Sequence, residues 1–292
     1  MTILLLGQTG QVGFELKRVF APLGEINAPT RAELNLESAE AVDAHLCELK
    51  PALILNAAAY TAVDKAESEQ ALAARINAEL PSQLANYAAQ SGAMLIHYSS
   101  DYVYPGVGSA AYSETAETGP LGVYGATKLS GDSAIVASGC KHYIFRTSWV
   151  YSARGHNFMK TMIRLGKEKA QLNVVSDQTG APTPARLIAQ VSLLAYEKRI
   201  ESGIYHLAPS GSTSWQGFAQ AIFTGCLMHG KKLAITPEAV HPIATADYPT
   251  PAKRPLNSRL NLTKLESALG IQLPDWKSQL EQTLEEYLDY NG

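Results

Sequence analysis

The chain has 292 residues, of which 46% are hydrophobic and 17% are charged, a composition typical of globular proteins. Its formal net charge of −3 argues against nucleic-acid binding through a broad basic surface. The apolar run at residues 3–6 is too short for a signal peptide or a membrane span, and the three widely spaced cysteines form no disulfide framework. We therefore expect a cytoplasmic protein that makes no membrane contact and folds as one large domain or two smaller ones.

Strands and helices alternate through the first half of the chain. Apolar runs predict buried parallel strands at residues 3–6, 25–28, 52–55, 94–98 and 143–146. Helical spacing follows the first strand, covers about 70–91 with a break or restart at Pro81, and begins again near Tyr124. This alternation predicts right-handed βαβ units, and hence an α/β fold with a Rossmann-like, doubly wound parallel sheet.

A glycine pattern separates the first predicted strand from the helix that follows. Gly7, Gly10 and Gly13 place a tight turn and a helix N-terminus at the carboxyl edge of the sheet, where ligands bind. Backbone N–H groups and the helix dipole suit a pyrophosphate at that position. A plain turn is the alternative, but the strand–turn–helix context favours a dinucleotide site.

The pattern of elements changes after about residue 151. Helices are predicted near 157–169, 185–198, 215–227 and 275–287, with a short strand at 173–175 and a loop at 177–184. An apolar run at 204–207 is expected to return to the main sheet. We therefore assign 1–151 to a dinucleotide-binding domain with a return segment near 184–208, and 152–292 mainly to a smaller C-terminal substrate-binding lobe.

The residues after the second strand bear on the identity of the dinucleotide. The acid that would bind a ribose 2′-hydroxyl is missing, and Thr30 and Arg31 offer a hydroxyl and a cation that suit a 2′-phosphate. We expect NADPH as the cofactor. NADH is the alternative, if Arg31 is only solvated and Glu33 or Asn35 serves the ribose.

A tyrosine and a lysine four residues apart lie on one face of a predicted helix. In this pair, Tyr124 and Lys128, the ammonium favours the phenolate. We therefore expect the pKa of Tyr124 to be lowered and its phenol to donate a proton near neutral pH. The alternative is a surface pair on an exposed helix. Combined with a dinucleotide site, the pair indicates nicotinamide-dependent carbonyl reduction.

Polar and aromatic residues at the ends of two strands are further candidates. Of Ser99 and Ser100 we choose Ser100 to polarise a substrate carbonyl; either could instead cap a helix or turn. Asp101 would accept hydrogen bonds from sugar hydroxyls or cap a turn. Trp149 would form an apolar wall for a sugar ring or belong to the core.

Cationic and metal-ligating side chains give weaker signals. Arg254 and Arg259 lie in and after a proline-rich segment and would either meet a diphosphate or lie in a solvated loop. The seven histidines have no zinc-like spacing to one another, to cysteine or to carboxylates, so we expect no catalytic metal. His97 and His206 lie on predicted strands and are expected to be hydrogen-bonded core residues.

Together these motifs resemble the extended short-chain dehydrogenase/reductase family, and within it the sugar-nucleotide reductases. The segments that carry the resemblance span nearly the whole chain and comprise residues 7–13, 56–64, 98–104, 124–128, 145–151, 177–183 and 254–260. The first and fourth of these segments mark the superfamily. The second, fifth, sixth and seventh are specific to the sugar-nucleotide branch.

The resemblance implies roles for individual residues. Tyr124 would be the proton donor, Lys128 would orient the nicotinamide ribose, and Ser100 would bind the carbonyl oxygen of a 4-keto dTDP-sugar. Asp101 and Trp149 match substrate contacts. Positions that match cofactor contacts are Gly10, Gln11, Val12, Asn35, Leu36, Ala59, Tyr60, Thr61 and Tyr98.

Two other functional classes stay open at this point. A related NAD-dependent epimerase or dehydratase would regenerate its bound cofactor, although the acid pair of dehydratases is missing at residues 99–101. A non-enzymatic NADP-binding regulatory subunit would use the same fold, but such relatives often lose the tyrosine–lysine pair. The sequence also leaves a homodimer open.

Overall fold

Strands and helices alternate up to residue 147, and shorter elements follow. The computed structural model describes residues 1–290. Its strands are β1 (Thr2–Leu6), β2 (Glu25–Asn27), β3 (Leu53–Asn56), β4 (Met94–Ser100), β5 (Lys141–Thr147), β6 (Val150–Tyr151), β7 (Leu172–Val175), β8 (Thr179–Gly180), β9 (Thr183–Pro184), β10 (Gly203–His206), β11 (Thr213–Ser214) and β12 (Val240–Ile243). Its helices are α1 (Gln11–Phe20), α2 (Ala39–Leu49), α3 (Val63–Ala66), α4 (Gln70–Ala74), α5 (Leu80–Ser91), α6 (Val123–Ser138), α7 (Phe158–Glu168), α8 (Ala185–Lys198), α9 (Trp215–Met228), α10 (Thr263–Leu269) and α11 (Trp276–Tyr290).

Six parallel strands form the central sheet in the order β10-β5-β4-β3-β1-β2. The chain leaves β1 toward β2 on one side and then returns to β3 on the other. This reversal opens a crevice beyond the carboxyl ends of β1 and β3, the usual ligand site of such sheets. The predicted doubly wound parallel sheet is confirmed, and the strand predicted at 204–207 joins it as β10, beside β5.

Helices cover both faces of this sheet with separate apolar layers. On one face α1 and α8 pack through Leu16, Phe20 and Ile188. On the other face α2, α5 and α6 contribute a second layer that includes Leu84 and Ile135. Burial on both faces explains why the strands read as continuous apolar runs rather than as alternating ones.

The helical stretch from 70 to 91 is continuous but contains one turn of π-helix at Arg75–Glu79. Pro81 lacks the N–H that would bond to the carbonyl of Asn77 in a regular helix. The predicted break at Pro81 is therefore a local widening of the helix, and the chain keeps its direction. Such turns often occur at functional sites.

A second core lies in the C-terminal half of the chain. Helices α7, α9 and α11 contribute Ile163, Phe218 and Leu280 to an apolar cluster that begins at Tyr151. The parallel pair of β7 and β12 packs beside it. The sequence pattern did not predict α2, α10 or β12, and the loop predicted at 177–184 includes the two-residue strands β8 and β9. The domain boundary at residue 151 stays a prediction.

No helix within residues 1–290 has both the length and the apolar character needed to cross a membrane.

Candidate active site

One cavity of about 1000 Å³ lies beyond the carboxyl ends of β1 to β5. Most of the site residues predicted from the sequence line it, and Gly13, Arg254 and Arg259 do not. Those that line it are Gly7, Gly10, Gln11, Val12, Arg31, Asn35, Leu36, Ala59, Tyr60, Thr61, Tyr98, Ser100, Asp101, Tyr124, Lys128 and Trp149. Arg259 lies away from this wall, with Nη1 bonded to Oδ1 of Asn257 at 3.1 Å, and its predicted role stays a prediction.

The glycine turn between β1 and α1 brings backbone close to the cavity. Gly7 has φ +84°, a left-handed conformation that favours glycine, and a Cβ on it would lie 2.7 Å from the backbone of Ala57. Gly10 caps α1 without a side-chain hydrogen bond, so the first N–H groups of this ten-residue helix are available to an anion. The turn thus has the geometry of a pyrophosphate cradle.

The loop after β2 forms the far end of the cavity. Arg31 is exposed there, while the two acceptors that could serve a ribose are engaged with the backbone. The Glu33 carboxylate accepts from the Thr30 N–H at 2.7 Å, and the Asn35 carbonyl oxygen accepts from the Glu37 N–H at 3.0 Å. The Thr30 hydrogen bond lowers the pKa of Glu33. This end of the cavity therefore offers a free cation where a cofactor phosphate would lie.

Asn77, which the sequence analysis did not single out, fixes the loop after β3. Its side chain accepts from the Tyr60 N–H at 2.9 Å and donates to the Tyr60 carbonyl at 3.0 Å. The same amide nitrogen reaches the Thr127 hydroxyl at 3.3 Å, next to Lys128 on α6. The π-turn aims this buried side chain between the two elements. In the sequence, the signal for this role is an asparagine four residues before a proline.

Lys128 is 1% exposed and is held by hydrogen bonds from β4. Its ammonium donates to the carbonyl oxygen of Tyr98 at 2.6 Å and lies 3.2 Å from Nε2 of His97. Burial lowers the pKa of Lys128 to about 8, although the nearby Asp132 carboxylate acts to raise it. The Tyr98 phenol points away and bonds to Ser192 on α8 at 2.9 Å, so this residue meets Lys128 only through its backbone.

The prediction that Lys128 lowers the pKa of Tyr124 is wrong. Burial of the phenol raises the pKa of Tyr124, and the Ser100 hydroxyl beside it lowers that value only partly. The lysine points to β4 instead of to the phenol. Tyr124 is therefore fully protonated at neutral pH, as a proton donor must be. Its ring contacts that of Tyr102 edge to face, with 5.5 Å between the centroids.

Ser100 and Asp101 lie at the junction of β4 and the turn that follows it. The Ser100 oxygen accepts from the Tyr102 N–H at 3.2 Å, which caps the following turn, and its hydroxyl contacts Oδ1 of Asp101 at 3.1 Å. Both residues also line the cavity. Burial raises the pKa of Asp101 to about 6. Oδ2 of Asp101 and the Thr147 hydroxyl are buried without a hydrogen-bond partner of normal geometry among residues 1–290, and the Ser258 hydroxyl is close enough to Asp101 to lower its pKa in part.

Two tryptophans form the apolar wall of the cavity. Trp149, with φ +48°, stacks on Trp215 at a centroid separation of 3.8 Å. The Trp215 indole donates to Oε1 of Gln178 at 3.0 Å, which orients the ring. A left-handed conformation is costly for a bulky residue and tends to persist at ligand sites. Trp215 was predicted only as part of a helix, and nothing in its sequence neighbourhood indicates the stack.

The cavity thus combines an anion cradle, a buried ammonium, a protonated phenol and an aromatic wall. The cradle and the cation at the far end suit a phosphorylated dinucleotide. Tyr124 and Ser100 present hydroxyl groups side by side, as a carbonyl oxygen requires. The buried oxygens of Asp101 and Thr147 and the stacked tryptophans suit a sugar ring.

Comparison with known proteins places the chain among reductases of one kind. The family model described as "RmlD substrate binding domain" matches residues 1–289. A dTDP-4-dehydrorhamnose reductase of Escherichia coli (strain K12) is 45% identical to the chain over 294 residues, which cover 98% of each protein.

Two solved structures support the same relationship. A dTDP-4-dehydrorhamnose reductase of Clostridium acetobutylicum ATCC 824 superposes with a TM-score of 0.91 and 36% identity, covering 99% of this chain and 100% of that one. The enzyme of the same name from Bacillus anthracis str. Ames, in complex with NADP, gives a TM-score of 0.89 and 33% identity over 98% and 99%. The chain therefore belongs to the RmlD substrate binding domain family.

Proposed function

We propose that the protein reduces the 4-keto group of dTDP-4-dehydro-L-rhamnose with NADPH and releases dTDP-L-rhamnose, a precursor of cell-surface polysaccharides. The observation that carries the proposal is the single cavity that joins the glycine turn to Tyr124, Lys128 and Ser100. It stands in a chain that is 45% identical to a dTDP-4-dehydrorhamnose reductase over 98% of both lengths. An NADP complex of another relative supports the choice of cofactor.

The residues at the cavity fit this cofactor. The Gly7 turn and the first turn of α1 would hold the pyrophosphate. Gly13 lets α1 pack closely on this turn, since a Cβ on it would lie 2.1 Å from the Gly7 carbonyl oxygen. Arg31 would pair with the 2′-phosphate. When bound, NADPH supplies the hydride for C4 of the sugar.

The chain itself supplies the proton and the positioning. The Ser100 hydroxyl would donate to the carbonyl oxygen and polarise it as negative charge develops. Tyr124 would then transfer its phenolic proton to that oxygen. Lys128, one helical turn along α6, would bind the nicotinamide ribose and hold it beside Tyr124. Asp101 would accept from sugar hydroxyls, and Trp149 would pack against the ring.

The assay that tests this function follows the loss of NADPH absorbance with dTDP-4-dehydrorhamnose, with NADH run in parallel. We expect stoichiometric oxidation and a preference for NADPH. An epimerase or dehydratase would give no net consumption, and a regulatory subunit would bind NADP without turnover. Either result would contradict the proposal. A preference for NADH would contradict the role of Arg31 alone.

The role of Tyr124 is tested by Tyr124→Phe, which removes the proton donor and keeps the ring. We expect kcat to fall by about 10²- to 10⁴-fold while NADPH still binds. Tyr102→Phe is the matched control, because it removes a phenol whose ring contacts Tyr124 from the side and whose hydroxyl lies 3.4 Å from Arg254. Turnover within a few-fold of the wild-type value in Tyr124→Phe would refute this assignment.

We place the reaction in the cytoplasm, because Cys47, Cys140 and Cys226 are all free, as expected in a reducing compartment. We also propose that the protein forms a homodimer, which light scattering in solution can test.

A further inference from the structure

A buried polar chain leads from the catalytic helix into the sheet. His97 on β4 lies between Lys128 and Asn56, with Nε2 3.2 Å from the ammonium and Nδ1 3.0 Å from the Asn56 side-chain amide. All three side chains are 1% exposed or less. In the paired register, Asn56 on β3 stands directly beside His97. The imidazole thus has one neighbour on the sheet and one on α6.

The chemistry of the pair assigns the proton positions. A lysine ammonium has three donors and no acceptor, so His97 must accept through Nε2. The imidazole proton then sits on Nδ1, and the Asn56 side chain must turn its carbonyl oxygen, which has no other hydrogen-bond partner in the described part of the chain, toward that N–H to accept it. Burial, together with the charge of Lys128, holds the pKa of His97 well below its usual range. The ring is therefore an uncharged acceptor.

Other groups near Lys128 do not replace this acceptor. Oδ2 of Asp132, one turn along α6, accepts from Arg146 at 3.0 Å, and the carboxylate acts to raise the pKa of Lys128 but makes no hydrogen bond with its ammonium. The Tyr124 phenol points to the Ser100 hydroxyl. The Tyr98 carbonyl takes a single N–H of the ammonium. A buried cation with a missing acceptor is costly, so the contact with His97 bears directly on whether Lys128 stays charged and in place.

We propose that His97 is a positioning residue for the reduction: its Nε2 holds the Lys128 ammonium at the cavity wall, and Asn56 holds the ring. This inference rests on the proposed function for its kinetic test. It extends the reacting groups Tyr124, Lys128 and Ser100 by a pair that touches neither cofactor nor substrate. A hydrogen-bonded core histidine, as the sequence predicted, would affect stability alone.

Two substitutions of similar size separate these roles. His97→Gln places an amide oxygen near the position of Nε2, within reach of Lys128. His97→Asn is shorter and reaches only the position of Nδ1. Without the acceptor, Lys128 loses its proton at lower pH. We therefore expect the alkaline limb of kcat/KM to shift down by about 1 pH unit in His97→Asn, with kcat/KM at pH 8 reduced about fivefold. His97→Gln should keep the wild-type limb.

A binding measurement tests the same inference without turnover. Since Lys128 would contact the nicotinamide ribose, we expect the Kd of NADP⁺ to rise between pH 7 and pH 9, and to rise at lower pH in His97→Asn than in His97→Gln. His206→Gln is the control, because His206 is also buried and hydrogen-bonded but bonds to Tyr104 and Asn261 instead. Its pH profiles should match those of the wild type.

The outcomes are distinct. Identical pH profiles for His97→Asn, His97→Gln and wild type, in both measurements, would overturn the inference and leave the proposed function standing. If the wild type does not oxidise NADPH, the proposed function fails, and the shift in NADP⁺ binding still decides the role of His97. Thermal unfolding of each variant identifies a purely structural effect, which would lower all rates without moving the pH limb.

Discussion

The Asp101 carboxyl illustrates how a single residue at the cavity wall links stability to pH. It is 3% exposed, and burial raises its pKa from 3.8 to about 6. Between these values the native state binds a proton that the unfolded chain has released. The free energy of unfolding therefore falls as the pH rises through this window. At neutral pH the protein keeps a buried, ionised group that destabilises it.

Replacement of this carboxyl by an amide should remove the free-energy cost of keeping a buried charge at neutral pH. We expect Asp101→Asn to be more stable than wild type at pH 8 by about 2–3 kcal/mol and equally stable near pH 3.5. Denaturant unfolding at both pH values measures this difference. The same variant should lose kcat/KM for the sugar nucleotide while it still binds NADPH.

Asp177→Asn provides the control for that prediction. Hydrogen bonds with Thr245 lower the pKa of Asp177, so its contribution is lost as the pH falls and the sign is reversed. If the two variants respond to pH in the same direction, burial of Asp101 is not the cause.

The sequence predicted which residues line the cavity better than it predicted their electrostatics. Tyr124 and Lys128 were placed on one helix face by spacing alone. The direction of the Tyr124 pKa shift was wrong, because burial outweighs a cation that points toward His97. Spacing along a helix predicts which side chains lie close together. A pKa also depends on how far elements distant in sequence exclude solvent from the group.

Gly180 shows how a short strand element shapes the aromatic wall. A Cβ at this position would lie 3.0 Å from Cε2 of Trp149 and 3.1 Å from Cβ of Ser258. The absence of a side chain on β8 therefore lets the Trp149 ring lie against the backbone. Trp215 covers the ring from the other side.

A methyl group at this position should displace the ring. We expect Gly180→Ala to weaken the near-UV circular dichroism of the stacked tryptophans and to raise KM for the sugar nucleotide about threefold to tenfold, which corresponds to about 1 kcal/mol of lost packing. NADPH binding should not change. Gly203→Ala is the matched control, since a Cβ there meets nothing closer than 3.6 Å. A KM equal to that of the control would rule out this positioning.

Helices and strands could be predicted where the apolar pattern extends over many residues and the contacts are local. Helix α8 has the predicted bounds, because its buried residues repeat at helical spacing along one face. The π-turn at Arg75–Glu79 was not predicted, since it depends on Pro81 and on the space that Gly131 of α6 leaves beside the Asn77 carbonyl. Two-residue strands such as β8 are fixed by distant partners and leave no local pattern.

At the scale of the whole molecule, an ion pair joins α3, which follows strand β3 of the central sheet, to the C-terminal segment. Arg254 donates to Oδ2 of Asp64 at 2.7 Å, and Oδ1 of Asp64 accepts from the Ala252 N–H at 3.2 Å. The guanidinium also lies 3.4 Å from the Tyr102 hydroxyl at the cavity wall. The side chains of Arg254 and Asp64 are 20% and 40% exposed, so solvent screens their attraction.

We expect the coupling energy between these two residues to be small. A double-mutant cycle of Asp64→Ala and Arg254→Ala should give a coupling of about 1 kcal/mol or less, and less still in 1 M salt. Arg164 and Glu168, an exposed pair within α7, are the reference and should couple more weakly. A coupling above about 2 kcal/mol would mean that the pair is a main link between the two halves.

The order of the strands also has a consequence during synthesis. β5 ends at Thr147, but the strand that covers its outer edge, β10, ends only at His206. At 5–20 residues per second, the ribosome needs about 3–12 s to make the chain between these points. During that time β5 is an exposed edge with unpaired backbone groups, which other nascent chains can pair with. Translation speed between residues 147 and 206 should therefore affect the yield of folded protein, and chaperones that shield β5 during this interval should raise it.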